Sequence, residues 1–186
     1  ETLFCLYQSI YQQYPIDHWD IVLGEDLHFQ LLLKKIWLDN YILFRKVYQE
    51  GVMDNLSLFP NVIDALLFCQ QQKIPLYILS NWRQKNQEFK LEKFGIRDFF
   101  QKIYTSEKIG LMKPDSLVFR KILEQECLDP STTIMIGNSI KEDISPAESM
   151  GIKTLLFNPY WKKISASASF TSYQKLPWIL QHLIRS

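Results

Sequence analysis

After Pro60 the sequence alternates short apolar runs with longer amphipathic or polar stretches, and this alternation limits the possible folds more than any other feature. Val62 to Gln71 reads as a helix, and Leu76-Tyr77-Ile78-Leu79 as a buried strand ending at Ser80-Asn81. A polar helix follows and stops near Phe94-Gly95, where glycine suits a left-handed cap. A strand is expected at Lys102 to Thr105, a helix at Ser116 to Glu126 and a strand at Thr133 to Ile136. A helix near Pro146 to Met150, stopped by Gly151, leads to a strand at Lys153 to Phe157. Short, continuously apolar strands are buried on both faces, so the pattern predicts an α/β fold: a parallel sheet with helices on either side. Ser165 to Ser172 reads as a serine-rich linker and Trp178 to Ile184 as a closing helix, with Trp161, Phe170 and Trp178 expected in the core.

Before Pro60 the period is different. Leu33, Trp37, Tyr41, Phe44 and Tyr48 recur every three or four residues, with Lys34, Lys35, Asp39, Arg45 and Lys46 mainly between them. That is an amphipathic helix from Asp26 to about Glu50. An earlier helix is expected from Leu3 to Tyr14, stopped by Pro15, so residues 12–58 read as all-helical. A net charge of +1 gives no general electrostatic ground for binding nucleic acid or an acidic membrane surface. No apolar run reaches the roughly 18 residues that a membrane-spanning helix needs. Cys5, Cys69 and Cys127 are scattered and odd in number, with neither metal-site nor disulfide-framework spacing, and a cytoplasmic setting is expected.

In open parallel sheets, ligands bind beyond the carboxyl ends of the strands. Three segments stand there. Ser80-Asn81 offers a hydroxyl and an amide between a buried strand and a helix, a place suited either to an anion or to Ser80 simply capping the helix. Lys113-Pro114-Asp115 puts a lysine in a loop at the sheet edge, with Asp115 or Ser116 able to cap the next helix. The ammonium is then either solvated or available to neutralise a phosphate, and a loop lysine is expected to contribute little to the fold. In Gly137-Asn138-Ser139-Ile140-Lys141-Glu142-Asp143, a strand runs into glycine, a polar residue and, five positions after Asn138, a carboxylate. Ser145-Pro146-Ala147-Glu148 looks like a capping box, which leaves Asn138 and Asp143 in the loop before the helix. Their oxygens suit Mg²⁺, which takes one or two protein ligands and keeps waters; a turn using Asn and Asp for its own backbone bonds is the plainer alternative.

As a set, in this order, these motifs resemble the haloacid dehalogenase superfamily. The likeness also takes in Leu58-Phe59-Pro60, Thr105-Ser106-Glu107 and the run to Gly151. The resemblance implies a three-layer Rossmann-like core, residues 1–11 and 59–186, with a small helical cap over 12–58. It implies a Mg²⁺-dependent phosphatase of a small phosphorylated metabolite, acting through an aspartyl-phosphate. Ser80 and the amide of Asn81 are implied to hold phosphoryl oxygens, Lys113 to offset charge, and Asn138 and Asp143 to serve the metal, with Asp143 supporting either the ion or Lys113.

The family's first motif, Asp-x-Asp-x-Thr, carries the nucleophile and a second aspartate acting as general acid and base. Glu1-Thr2-Leu3-Phe4 is similar to its tail, with Thr2 as the threonine, so both aspartates and the first core strand are expected upstream of residue 1. In the family that strand lies between the strands ending here at Ser80 and Ile136, and without it the sheet is expected to split. Asn138 departs from the usual aspartate, which implies weaker metal binding. Asparagine at this position also occurs in metal-independent 2-haloacid dehalogenases, although with a shorter spacing to the following aspartate. That activity, and a non-catalytic binding protein of the same fold, are the alternatives.

Overall fold

The computed structural model describes residues 57–81, 83–159 and 168–185. The chain divides between Ser57 and Leu58 into two units, and the described residues belong to the second, Ser57 apart. The cap expected over 12–58 (its last two residues excepted), Thr2 and Trp161 lie outside the described residues.

Helix α1, Val62–Gln71, buries Ala65, Leu66 and Cys69, the stripe a 3.6-residue period places on one face. Strand β1, Tyr77–Ser80, leads to the polar helix α2, Gln84–Lys93, of which only Leu91 is buried. Gly95 follows at φ +63°, the left-handed conformation that needs no Cβ. Strand β2, Lys102–Thr105, runs directly into the one-turn helix α3, Ser106–Ile109. Helix α4, Ser116–Gln125, starts where Asp115 accepts the Leu117 amide, and it buries Val118, Phe119, Ile122 and Leu123. Strand β3, Ile134–Gly137, is followed by a π-helical turn, Ile140–Ile144, and then by helix α5, Ser145–Glu148. Strands β4, Lys153–Phe157, and β5, Ser169–Phe170, precede helix α6, Leu176–Arg185.

All described pairings are parallel, but they form two sheets, β1-β2 and β3-β4-β5. The two sheets lie within the same layers. Tyr77, Leu79, Tyr104 and Met135 pack with α4, Ala147 of α5 and Ile152. The alternate residues face the other way. Leu76, Ile134, Ile136, Leu155 and Phe157 meet α1 and α6, while Leu76, Ile78 and Ile103 meet Leu66, Leu91 and Ile96. This two-residue alternation against two helical layers is a three-layer, Rossmann-like α/β arrangement. Burial runs opposite to strand order. Ile103 to Thr105 of β2 and Leu155 to Phe157 of β4 are buried, whereas every residue of β1 and β3, the strands flanking the split, is only half-buried.

Several local expectations change. Part of the serine-rich stretch is strand β5, held to β4 where the Asn158 amide donates to the Phe170 carbonyl. Phe170 is buried among the rings of Phe157 and Tyr173, but Trp178 is 64% exposed. The capping box does not form: Ser145 already lies inside α5, and the Glu148 carboxylate accepts from Thr154 instead.

Candidate active site

The carboxyl ends of β1 and β3 meet at Lys113. This lysine is not a solvated loop residue; it is 9% exposed and its Nζ lies 2.5 Å from Oδ1 of Asp143, itself 3% exposed. These are the two buried charged residues among those described, and a buried charge is tolerated when it is paired and its remaining valences are satisfied. Asp143 is satisfied on both oxygens, because Oδ2 accepts the backbone N–H groups of Asn138 and Ser139 at 3.0 Å each.

The π-helical turn makes this possible. Ser139 Oγ accepts the Glu142 amide, and the Ser139 carbonyl accepts the amides of both Asp143 and Ile144. The extra residue in the turn folds the Asp143 side chain back over the end of β3. Asp143 therefore sits in a structured turn and not in the loop that the capping box implied. Gly137 is required by the same packing: a Cβ there would lie 2.3 Å from Asp143 Cβ and 2.4 Å from its Oδ2.

Asn81 reaches the site with its side chain. Its Nδ2 donates to the Lys113 carbonyl at 2.8 Å, and its Oδ1 accepts the Lys113 amide at 2.9 Å. Its own carbonyl accepts from Ser106 Oγ. Ser80 does not cap α2, which begins after Arg83 without a side-chain cap; its Oγ accepts from Gln87 Nε2 at 3.0 Å. At the start of α2 the Gln84 amide donates to Glu107 Oε2. Sequence reasoning named Ser80, Asn81, Lys113, Asn138 and Asp143, but missed Ser106, Ser139, Gln87 and Glu107 as supports. The polar side chains of Ser106, Glu107 and Ser139 just after strands were the available signal, indistinguishable there from ordinary turn chemistry, and Gln87 inside α2 gave none.

Asn138 follows β3 directly and meets Asp143 through its backbone amide; its carboxamide oxygen and the Asp143 carboxylate are hard-oxygen donors of the kind Mg²⁺ accepts. Among the described residues no group of three or more His, Cys, Asp or Glu side chains is placed to hold a metal. Lys113 already offsets the Asp143 charge. With both its oxygens engaged in this way, Asp143 together with Asn138 does not by itself form a cage for an ion, and most ligands of any Mg²⁺ here would come from water and a phosphate.

The sequence pattern of the haloacid dehalogenase-like hydrolases matches residues 11–157. The ribulose-1,5-bisphosphate 5-phosphatase of Halopiger xanaduensis is 31% identical over 112 residues, which are 60% of this chain and 47% of that protein. The glyceraldehyde 3-phosphate phosphatase of Methanothermobacter thermautotrophicus is 29% identical over 137 residues, 72% of this chain and 61% of that one. The matched segments thus span less than two thirds of either relative. The magnesium-bound crystal structure of Bacillus subtilis YfnB superposes with a TM-score of 0.77 at 22% identity, over 100% of this chain and 81% of that one, a likeness of fold. With more than half its length matched by the family pattern, the chain belongs to the haloacid dehalogenase-like hydrolases.

Proposed function

We propose that the protein is a Mg²⁺-dependent phosphatase of a small phosphorylated metabolite, and that its nucleophile is an aspartate on a strand between β1 and β3. The observation that carries this reading is the buried Lys113–Asp143 pair, which holds an ammonium between the carboxyl ends of two strands. Such a fixed cation offsets the charge of both an attacking carboxylate and a phosphoryl group without solvent reorganisation. Among the described residues β1 and β3 are only half-buried and lie at the ends of their sheets, which supports a further strand between them. The names of the two relatives, both phosphatases of phosphorylated sugars, support the substrate class.

In this mechanism an aspartate oxygen attacks phosphorus in line, the bond to the leaving oxygen breaks, and the second aspartate supplies that oxygen's proton. Water then cleaves the aspartyl-phosphate, releasing phosphate and restoring the carboxylate. Ser80 Oγ and the Asn81 backbone amide hold phosphoryl oxygens, and Lys113 stabilises the charge that develops. Asn138 and Asp143 would hold Mg²⁺, which draws electron density from the phosphoryl group when bound. Residues 12–58 act as a cap that excludes water and selects the leaving group. A cytoplasmic setting accords with the free thiols of Cys69 and Cys127; no described helix is long and apolar enough to cross a membrane.

The test is hydrolysis of an aryl phosphate by the protein carrying an upstream Asp-x-Asp. Phosphate release is expected only with Mg²⁺, and slowly, because a generic substrate lacks the remote groups whose binding a cap converts into rate. The same protein without those aspartates should release none. Chloride release from a 2-haloacid, insensitive to EDTA, would support the dehalogenase reading. Silence across a panel of phosphorylated metabolites would favour a binding protein.

A further inference from the structure

We propose that the Asn81 side chain is a positioning residue that aims the Lys113 ammonium, by clamping the Lys113 backbone to the end of β1. A carboxamide has one acceptor and one donor group to offer a peptide, and Asn81 gives both to the same residue: Oδ1 to the Lys113 amide and Nδ2 to the Lys113 carbonyl. Both backbone polar groups of Lys113 are thus fixed from one side. At its far end the side chain is fixed by Asp143, which is held in turn by the amides of Asn138 and Ser139. A lysine has four rotatable side-chain bonds, so an ion pair at the tip alone leaves its path loose; anchoring the backbone as well leaves few arrangements. The clamp is anchored itself, because the Asn81 carbonyl accepts from Ser106 Oγ. Across the split between β1 and β3, where no described backbone ladder runs, Asn81, Lys113 and Asp143 form a continuous link.

No similar side chain does the same work. Aspartate keeps the acceptor but turns a second oxygen against the Lys113 carbonyl, and alanine removes both bonds. Neither change touches the backbone amide of residue 81, so any phosphoryl contact made there persists. The clamp's catalytic consequence rests on the reading that Lys113 acts on a phosphoryl group, whereas the clamp itself does not.

Two measurements test it. In the first, amine acylation of the 186-residue chain is followed by mass spectrometry, with the exposed Lys141 and Lys153 as internal references. Loss of two hydrogen bonds in Asn81→Ala should raise Lys113 labelling ~10-fold or more relative to those references, with Asn81→Asp between it and the parent. Hydrogen exchange in β4 should stay unchanged. In the second, the protein carrying the upstream aspartates is assayed on an aryl phosphate. Because a misplacement of about 1 Å can cost about 10²-fold, Asn81→Ala should lower kcat by ~10-fold or more while KM moves less. In a Lys113→Ala background the same substitution should have almost no further effect on kcat. Unchanged Lys113 labelling in both variants overturns the clamp, whatever the activity assay shows. An equal fall in kcat with and without Lys113 shows that Asn81 does not act through it. A parent protein with no phosphatase activity but with the labelling change removes the phosphatase reading and leaves the clamp standing.

Discussion

Lys113 and Asp143 set the energetics of the site as well as its chemistry. With one partner removed, the other is a buried charge facing low-dielectric surroundings, a situation that costs about 3–5 kcal/mol. The expectation that a loop lysine contributes little to the fold therefore gives way to a structural role for Lys113, because its burial and pairing bind the loop before α4 to the end of β3. Lys113→Met and Asp143→Asn should each lower the denaturant midpoint, and the double variant should cost less than the two single changes added together. The coupling expected for directly contacting residues is about 0.5–3 kcal/mol. Simple additivity in equilibrium unfolding would show that the pair contributes nothing as a pair. For the same reason, reduced activity in a Lys113 variant has to be read beside its stability. Gly137 carries the geometric half of this arrangement, since the space a side chain would need is filled by Asp143.

Among the secondary-structure elements, local chemistry decides boundaries. Asp115 accepts the Leu117 amide at 2.9 Å and starts α4, whose buried stripe fills the core under β1, β2 and β3. Asp115→Ala should lower stability by about 1 kcal/mol, the usual cost of losing such a cap, and Asp115→Ser should restore most of it in thermal unfolding. At the other end of α4 the Tyr104 hydroxyl donates to Glu126, which also pairs with Lys102. Burial, then this hydrogen bond, push the Tyr104 phenol well above its ordinary range. The sequence was informative where period and punctuation agree: α1, β2 and β4 fall where the apolar runs and the flanking glycines and prolines place them, and β1 and β3 lie one residue later than expected. It was silent where a structure depends on distant partners. The two residues of β5 have no apolar alternation of their own and become a strand because β4 offers an edge. The π-helical turn arises from Ser139 and Asp143 bonding across it, a geometry that spacing alone does not distinguish from a loop. Asn81 was legible as a polar residue after a strand, but the direction of its side chain was not.

At the largest scale, the described strands form a sheet in two pieces that shares the helical layers of one. Tyr77 and Leu79 of β1 share a core cluster with Met135 of β3, yet the described residues place no strand between them. Central strands of a parallel sheet are ordinarily its most buried, and here they are less buried than β2 and β4. A strand edge left unpaired is also a template for unwanted pairing between molecules. A parallel strand inserted there would complete both ladders and place its carboxyl end beside Ser80, Lys113 and Asn138, where the proposed nucleophile belongs. Each large apolar side chain it buries would add roughly 1.5–3 kcal/mol. Comparing the 186-residue chain with the same chain extended upstream by an apolar strand ending in Asp-x-Asp tests this directly. In a chain of this size each kcal/mol shifts the Tm by roughly 2–4 °C, so burying a few such side chains should raise it by ~10 °C or more. Aggregation should fall, and amides of residues 77–80 and 134–137 should gain protection in hydrogen exchange. If those amides are equally protected and the Tm is equal without the extension, residues already in the chain occupy the gap, and the nucleophile must be sought among them.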